Sequence, residues 1–270
     1  MLKQRILTAL VLAPLALLGV FALPLSSFLY FMDVVILLGA WEWANLSGYQ
    51  SRIQRFMYVG LMASILAGLH LFYTSVPVEL ILSGALLGWM VAFLWVVKYP
   101  QSTSWSACWK RALVGLVVLV PSWIAFVGLK GSENGEVLIL LLFLLVWGAD
   151  VGAYFSGKNF GRVKLAPDVS PGKTREGLYG GLIACIVIAL GFALYSGFDM
   201  AQVLLLVVLA TATGLISVLG DLFESMLKRH RGIKDSSQLL PGHGGVLDRI
   251  DSLTAASPLF VLGMQYLIAY

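Results

Sequence analysis

Charged residues are few. Asp, Glu, Lys and Arg make up 12% of the 270 residues, about half the share found in ordinary soluble domains. Apolar residues make up 59% and mean hydropathy is +0.90, so a water-soluble globule is excluded. Cysteine is nearly absent: Cys108 and Cys185 stand far apart with no paired spacing. That removes a disulfide framework and a thiolate metal site and leaves two small packing residues. The histidines are too scattered for a zinc centre. His70 lies in an apolar run and reads as a satisfied core residue, His230 as a solvated loop residue, and His243 sits in a glycine-rich turn. Internal repeats and low-complexity tails are also missing.

Apolar residues gather instead in nine runs close to the ~20 residues that cross a bilayer: 6–25, 28–46, 56–73, 78–97, 112–129, 137–155, 178–198, 202–219 and 253–270. Lys3 and Arg5 ahead of the first run imitate a secretory signal. Its core is too long, Pro24 interrupts the cleavage region and a second run follows at once, so it reads as a retained helix. A cytoplasmic N-terminus puts every Lys and Arg except Lys130 on the cytoplasmic side, as the positive-inside rule requires. The expectation is an all-α integral membrane protein of about nine transmembrane helices, with N-terminus inside, C-terminus outside and one domain over 1–270. Two cytoplasmic connections, 156–177 and 220–252, hold most of the glycine, charge and turn formers and are expected to carry the chemistry.

Beyond the eighth run, Ser217, Asp221, Glu224, Ser225 and Lys228 recur at three- and four-residue steps, so a continuing helix puts them on one face. Asp221 directly follows an apolar span, where charge is expensive. Asp248 and Asp251, three apart, can face one point from a helix. Mg²⁺ takes hard oxygen ligands, so Asp221 and Asp248, with Asp251 as a third, are candidate metal ligands. Pairing with Arg249, Arg229 or Lys228 is the plainer reading of the same acids, and the two are compatible. Pro241-Gly242-His243-Gly244-Gly245 can bring consecutive amides together as an anion nest at the start of the next helix. His243 could donate to a phosphate or cap the turn. The segment Ser170-Pro171-Gly172-Lys173-Thr174 resembles the end of a P-loop, but its spacing fails and no strand precedes it. It remains a loop able to offer Ser170, Lys173 and Thr174 to phosphates. Asp150 lies at membrane depth and is either a functional acid or a structural one. Asp33 and Glu42 are isolated and carry no assignment.

The stretch Ser225-x-x-Lys228-Arg229-x₄-Lys234-Asp235-x-Ser237-x-x-Leu240-Pro241-x-His243-Gly244-Gly245-Val246-x-Asp248-Arg249-Ile250-Asp251 resembles the signature of the phosphatidate cytidylyltransferases, the CDP-diacylglycerol synthases. Every fixed position of that pattern is occupied. Asp150-x-x-Ala153-Tyr154 and Ser170-Pro171-x-Lys173-Thr174-x-Glu176-Gly177 look like the family's upstream block, with Ala149 where Asn is frequent and Gly172 where Lys is frequent. The match covers the C-terminal half, 136–270, as the catalytic half with its signature at 225–251. The N-terminal half, 1–135, is similar only as a set of membrane helices, a scaffold and candidate dimerisation region.

The resemblance implies a reaction: CTP and phosphatidic acid give CDP-diacylglycerol and pyrophosphate. It also implies Mg²⁺, as one ion or two, a homodimer, and a polar cavity open to the cytoplasm at a bacterial inner membrane, with no nucleic-acid partner. On that reading Asp221, Asp248, Lys228 and Lys173 are the catalytic set, and Asp221, Asp248 and Asp251 hold metal. Ser170, Lys173, Thr174, Ser225, Lys228, Arg229, Lys234, His243, Gly244, Gly245 and Arg249 bind phosphates or substrate. Alternatives are a paralogue using another lipid phosphate and a transporter. The transporter leaves the gathering of basic residues and Asp-x-x-Asp in one cytoplasmic segment unexplained, and no repeat symmetry supports it.

Overall fold

The structure, a computed structural model, describes residues 2–268, including their side chains apart from those of 2–9, 12 and 268. Among these residues the chain forms nine α-helices: α1 Leu2–Ala22, α2 Leu25–Ser47, α3 Arg52–Phe72, α4 Val78–Val97, α5 Cys108–Gly131, α6 Gly135–Phe160, α7 Arg175–Ser196, α8 Met200–His230 and α9 Leu247–Ile268. Each expected span falls on one of them. Helices α2 to α8 are long and apolar enough to cross a membrane. In α1 the described apolar stretch is Ala13–Ala22, and α9 opens on Asp248, Arg249 and Asp251. Lys3, Arg5 and the end of the last run lie outside the described side chains.

The helix ends follow local chemistry. Pro24 precedes α2 in an extended conformation, and Gly48 and Gly197 close α2 and α7 with positive φ. A capping box between Asp199 and Gln202 opens α8. In the core, Trp43, Trp89 and Trp95 surround Phe223, so α2, α4 and α8 share one aromatic centre. Asp33, at membrane depth, is paired: it accepts from Trp123 Nε1 at 2.8 Å and meets His70 Nε2 at 2.8 Å. His70 is a satisfied residue, as its apolar surroundings require.

The two expected connections are mostly regular structure. Helix α6 runs on to Phe160. An antiparallel hairpin then follows, β1 Lys164–Ala166 with β2 Ser170–Thr174, and α7 begins at Arg175. Helix α8 passes unbroken through Gly220 to His230, so the second connection shrinks to 231–246 and His230 is an exposed helix end, edge-on to Trp105. Gly220 lets α9 come close rather than ending α8: a Cβ there would lie 2.5 Å from Asp251 O and 2.8 Å from Ala255 Cβ. That contact sets the polar face of α8 against the charged start of α9.

Candidate active site

The long α8 puts Glu224 and Lys228 one turn apart and both buried. Lys228 Nζ lies 2.6 Å from Asp248 Oδ1 and 3.4 Å from Glu224 Oε1. One turn earlier, Asp221 Oδ2 lies 2.7 Å from Lys173 Nζ of β2, and its Oδ1 accepts from Ser225 Oγ at 3.1 Å. Two lysines from different segments are thus interleaved with the acids of α8 and α9. Asp248 is taken from water, and the Lys228 ammonium with the Gly245 and Ser236 amides compensates its carboxylate. Asp251 has no such set. Its Oδ1 accepts from the Ser252 amide at 2.7 Å.

The glycine turn folds around carboxylates of the protein itself. Asp248 Oδ2 accepts from Gly245 N at 2.7 Å, Ser236 N at 2.9 Å and Ser236 Oγ at 2.9 Å. Val246 N and Leu247 N donate to the two oxygens of Glu42, at 3.0 and 2.6 Å. The nest predicted for a substrate phosphate is therefore filled from within, and the Gly245 amide is not a free phosphate donor. Gly244 takes φ +81, and a Cβ on it would stand 2.6 Å from Asp248 Oδ2, which is why this turn needs glycine.

The other expected residues divide by place. Thr174 is buried, and its Oγ1 accepts from Gly177 N at 3.1 Å, so it is the N-cap of α7 rather than a ligand position. Its neighbour Glu176 receives the Arg162 and Val163 amides and ties the hairpin to α7. Arg229 Nε reaches Val169 O at 3.2 Å, fixing the hairpin to α8. Ser170 and His243 are half-buried, while Lys234 and Arg249 are exposed. Asp150 is also exposed, with Lys173, Asp221 and Arg249 as its charged neighbours. Among the described residues no three His, Cys, Asp or Glu side chains converge on a point that could hold a metal ion. Asp221, Asp248 and Asp251 share the cluster, but Lys173 and Lys228 take the first two. Beside the hairpin runs an apolar groove of about 990 Å³, lined by Trp89, Phe93 and Val97 of α4, Leu215 and Leu219 of α8, and Val169.

The sequence profile of the cytidylyltransferase family matches residues 3–267. The chain belongs to that family. It is 50% identical over 261 residues to a phosphatidate cytidylyltransferase of Pseudomonas aeruginosa, a match covering 96% of each chain. A phosphatidate cytidylyltransferase of Haemophilus influenzae is 42% identical over 96% of this chain and 97% of its own. One of Staphylococcus aureus is 43% identical over 142 residues, half of this chain.

Within this family member, Glu42, Ser236 and Glu224 are residues of the site to which sequence reasoning gave no role. An isolated acid in an apolar run was the signal for Glu42. Nothing in its spacing pointed to partners about 200 positions away. Glu224 was placed on the right face, but its burial, with no hydrogen bond to either carboxylate oxygen, is a property of how α8 meets α9.

Proposed function

We propose that this protein transfers the cytidylyl group of CTP to phosphatidic acid, forming CDP-diacylglycerol and pyrophosphate. The observation that carries the reading is the site itself: lysines and acids interleaved at the ends of apolar helices, with an apolar groove alongside, in a chain half identical to a named phosphatidate cytidylyltransferase. A lipid phosphate and a nucleotide must meet where water and bilayer meet, and this arrangement offers both surfaces. The groove suits acyl chains, and the cations beside it suit the phosphate they carry.

Attack by the lipid phosphate oxygen on the α-phosphorus of CTP expels pyrophosphate. The nucleophile is already ionised near neutral pH, so no protein base is needed. The main work is neutralising two polyanions. Lys173 and Lys228, each now balanced by a carboxylate, are placed to exchange that carboxylate for a phosphate oxygen. Arg229, Lys234 and Arg249 add positive charge around them, and Ser170, Ser225 and His243 add hydrogen-bonding groups.

The hard oxygens of Asp221 and Asp248 and those of Glu224, which accept no hydrogen bond, suit Mg²⁺ once the lysines turn to substrate. Asp251 lies at the edge of this set. Such an ion supplies charge to the phosphoryl oxygens. The reading also takes all nine helices as spans, with the N-terminus inside and the active site facing the cytoplasm of a bacterial inner membrane. Arg55 Nε and Arg231 Nε reach the Tyr49 and Asn45 carbonyls at the end of α2, and Arg111, whose own carbonyl accepts from Trp43 Nε1, lies beside them at the start of α5; this supports one basic end of the bundle, with Lys130 at the other, beside Glu136. A homodimer completes the proposal.

The test uses purified full-length protein in detergent with phosphatidic acid, Mg²⁺ and radiolabelled CTP. Label should pass to the lipid phase, fail with ATP or GTP, and stop with EDTA. No transfer from folded protein would refute the reading and turn attention to other lipid phosphates.

A further inference from the structure

Glu42 is 1% exposed on α2, and among the described residues its hydrogen-bond donors all come from the segment that begins with Ser236 and ends at α9. Ser237 Oγ donates at 2.6 Å and Val246 N at 3.0 Å to Oε1; Leu247 N donates at 2.6 Å and Ser236 Oγ at 3.2 Å to Oε2. A buried carboxylate is costly unless hydrogen-bonded. Here the first amides of α9, at the positive end of its dipole, and two hydroxyls provide that compensation.

The same few groups also hold Asp248. The Ser236 hydroxyl lies between the two carboxylates and has one proton for both. Gly245 N serves Asp248, while the next two amides serve Glu42. No space remains between them: a Cβ on Gly245 would stand 2.1 Å from Ser236 Oγ and 2.5 Å from both Glu42 oxygens. The Asp248 carboxylate is therefore clamped on one side by the loop that Glu42 grips, and its other oxygen is aimed at Lys228.

We infer that Glu42, from the N-terminal half, is a positioning residue for the transfer reaction: through Ser236 and the amides of residues 245–247 it fixes where Asp248, and with it Lys228, meets the substrates. This rests on the cytidylyltransferase reading above. Glu42 holds the site without being placed to touch substrate. A glutamine there keeps the shape, but its NH₂ faces donors, so the clamp loses one side.

The experiment compares wild type, Glu42→Gln, Ser236→Ala and the double variant as full-length protein in mixed micelles with phosphatidic acid, Mg²⁺ and CTP. Glu42→Gln should lower kcat roughly a hundredfold, the effect of about 1 Å of misplacement, with the KM for CTP within about threefold. Ser236→Ala should lower kcat less, and the double variant should be no worse than Glu42→Gln within about twofold, because both act through one linkage. A kcat within about twofold of wild type for folded Glu42→Gln, a change in KM alone, or multiplying losses in the double variant would overturn the inference. Should Glu42→Gln not fold, Ser236→Ala decides: an unchanged kcat overturns it.

Tryptic cleavage at Arg231 and Lys234 reads the loop without turnover and should be faster in Glu42→Gln than in wild type; an equal rate overturns the clamp. Inactive wild type with accelerated cleavage in the variant would reject the cytidylyltransferase reading and leave the clamp standing.

Discussion

Replacing Asp248 by asparagine tests the site most directly, because it keeps the shape and removes the charge. The amide oxygen would turn toward Gly245 N and Ser236 N, which now donate at 2.7 and 2.9 Å. The Nδ2 group would then face Lys228 Nζ, donor against donor, where a 2.6 Å ion pair now stands. The side chains of that pair are 11% and 5% exposed, so water does not replace the lost partner. Breaking one side of a buried pair costs about 3–5 kcal/mol. Glu224 Oε1 remains 3.4 Å from the same ammonium and offsets part of this, leaving roughly 2–3 kcal/mol of lost stability. Asp248→Ala should cost more, since it also leaves the two amides without an acceptor. Thermal unfolding in detergent measures this term, and transfer of label from CTP to lipid measures turnover. Turnover of Asp248→Asn should fall below about a hundredth of wild type. Folded variant keeping more than about a tenth would refute a charge-holding role for Asp248, and an unchanged melting temperature would refute the ion pair.

Gly245→Ala should lower both stability and turnover, since its methyl would collide with Ser236 and Glu42; overpacking alone costs about 1–3 kcal/mol, and melting curves with parallel assays check it. Lys173→Met should lower turnover roughly tenfold or more while costing at most about 1 kcal/mol, because its pair with Asp221 is partly exposed; kinetics and unfolding curves together separate the two effects. Leu219→Trp, which fills part of the groove, should raise the KM for long-chain phosphatidic acid and leave that for CTP unchanged, as steady-state kinetics with short- and long-chain lipids would show. EDTA should stop turnover and added Mg²⁺ restore it, and activity that survives complete chelation would remove the metal from the proposal.

Much of the architecture was legible in the sequence because it depends on local composition. Apolar run length set the helices, and three- and four-residue steps put Asp221, Glu224 and Lys228 on one face of α8. The hairpin was missed because Lys164–Thr174 carries loop-like glycine, proline and charge, and its strands owe their form to the ends of α6 and α7 that they join. The turn at Gly244 and Gly245 was recognised as an anion holder, but its anions turned out to be Asp248 and Glu42. What the sequence determined by itself was which residue types lie on which helix and at which end, since spacing and hydropathy act over a few turns. Which acid meets which lysine, and that an acid on α2 grips the start of α9 across some 200 residues, only the tertiary structure decided, because such pairings follow from how helices cross and no local spacing encodes that.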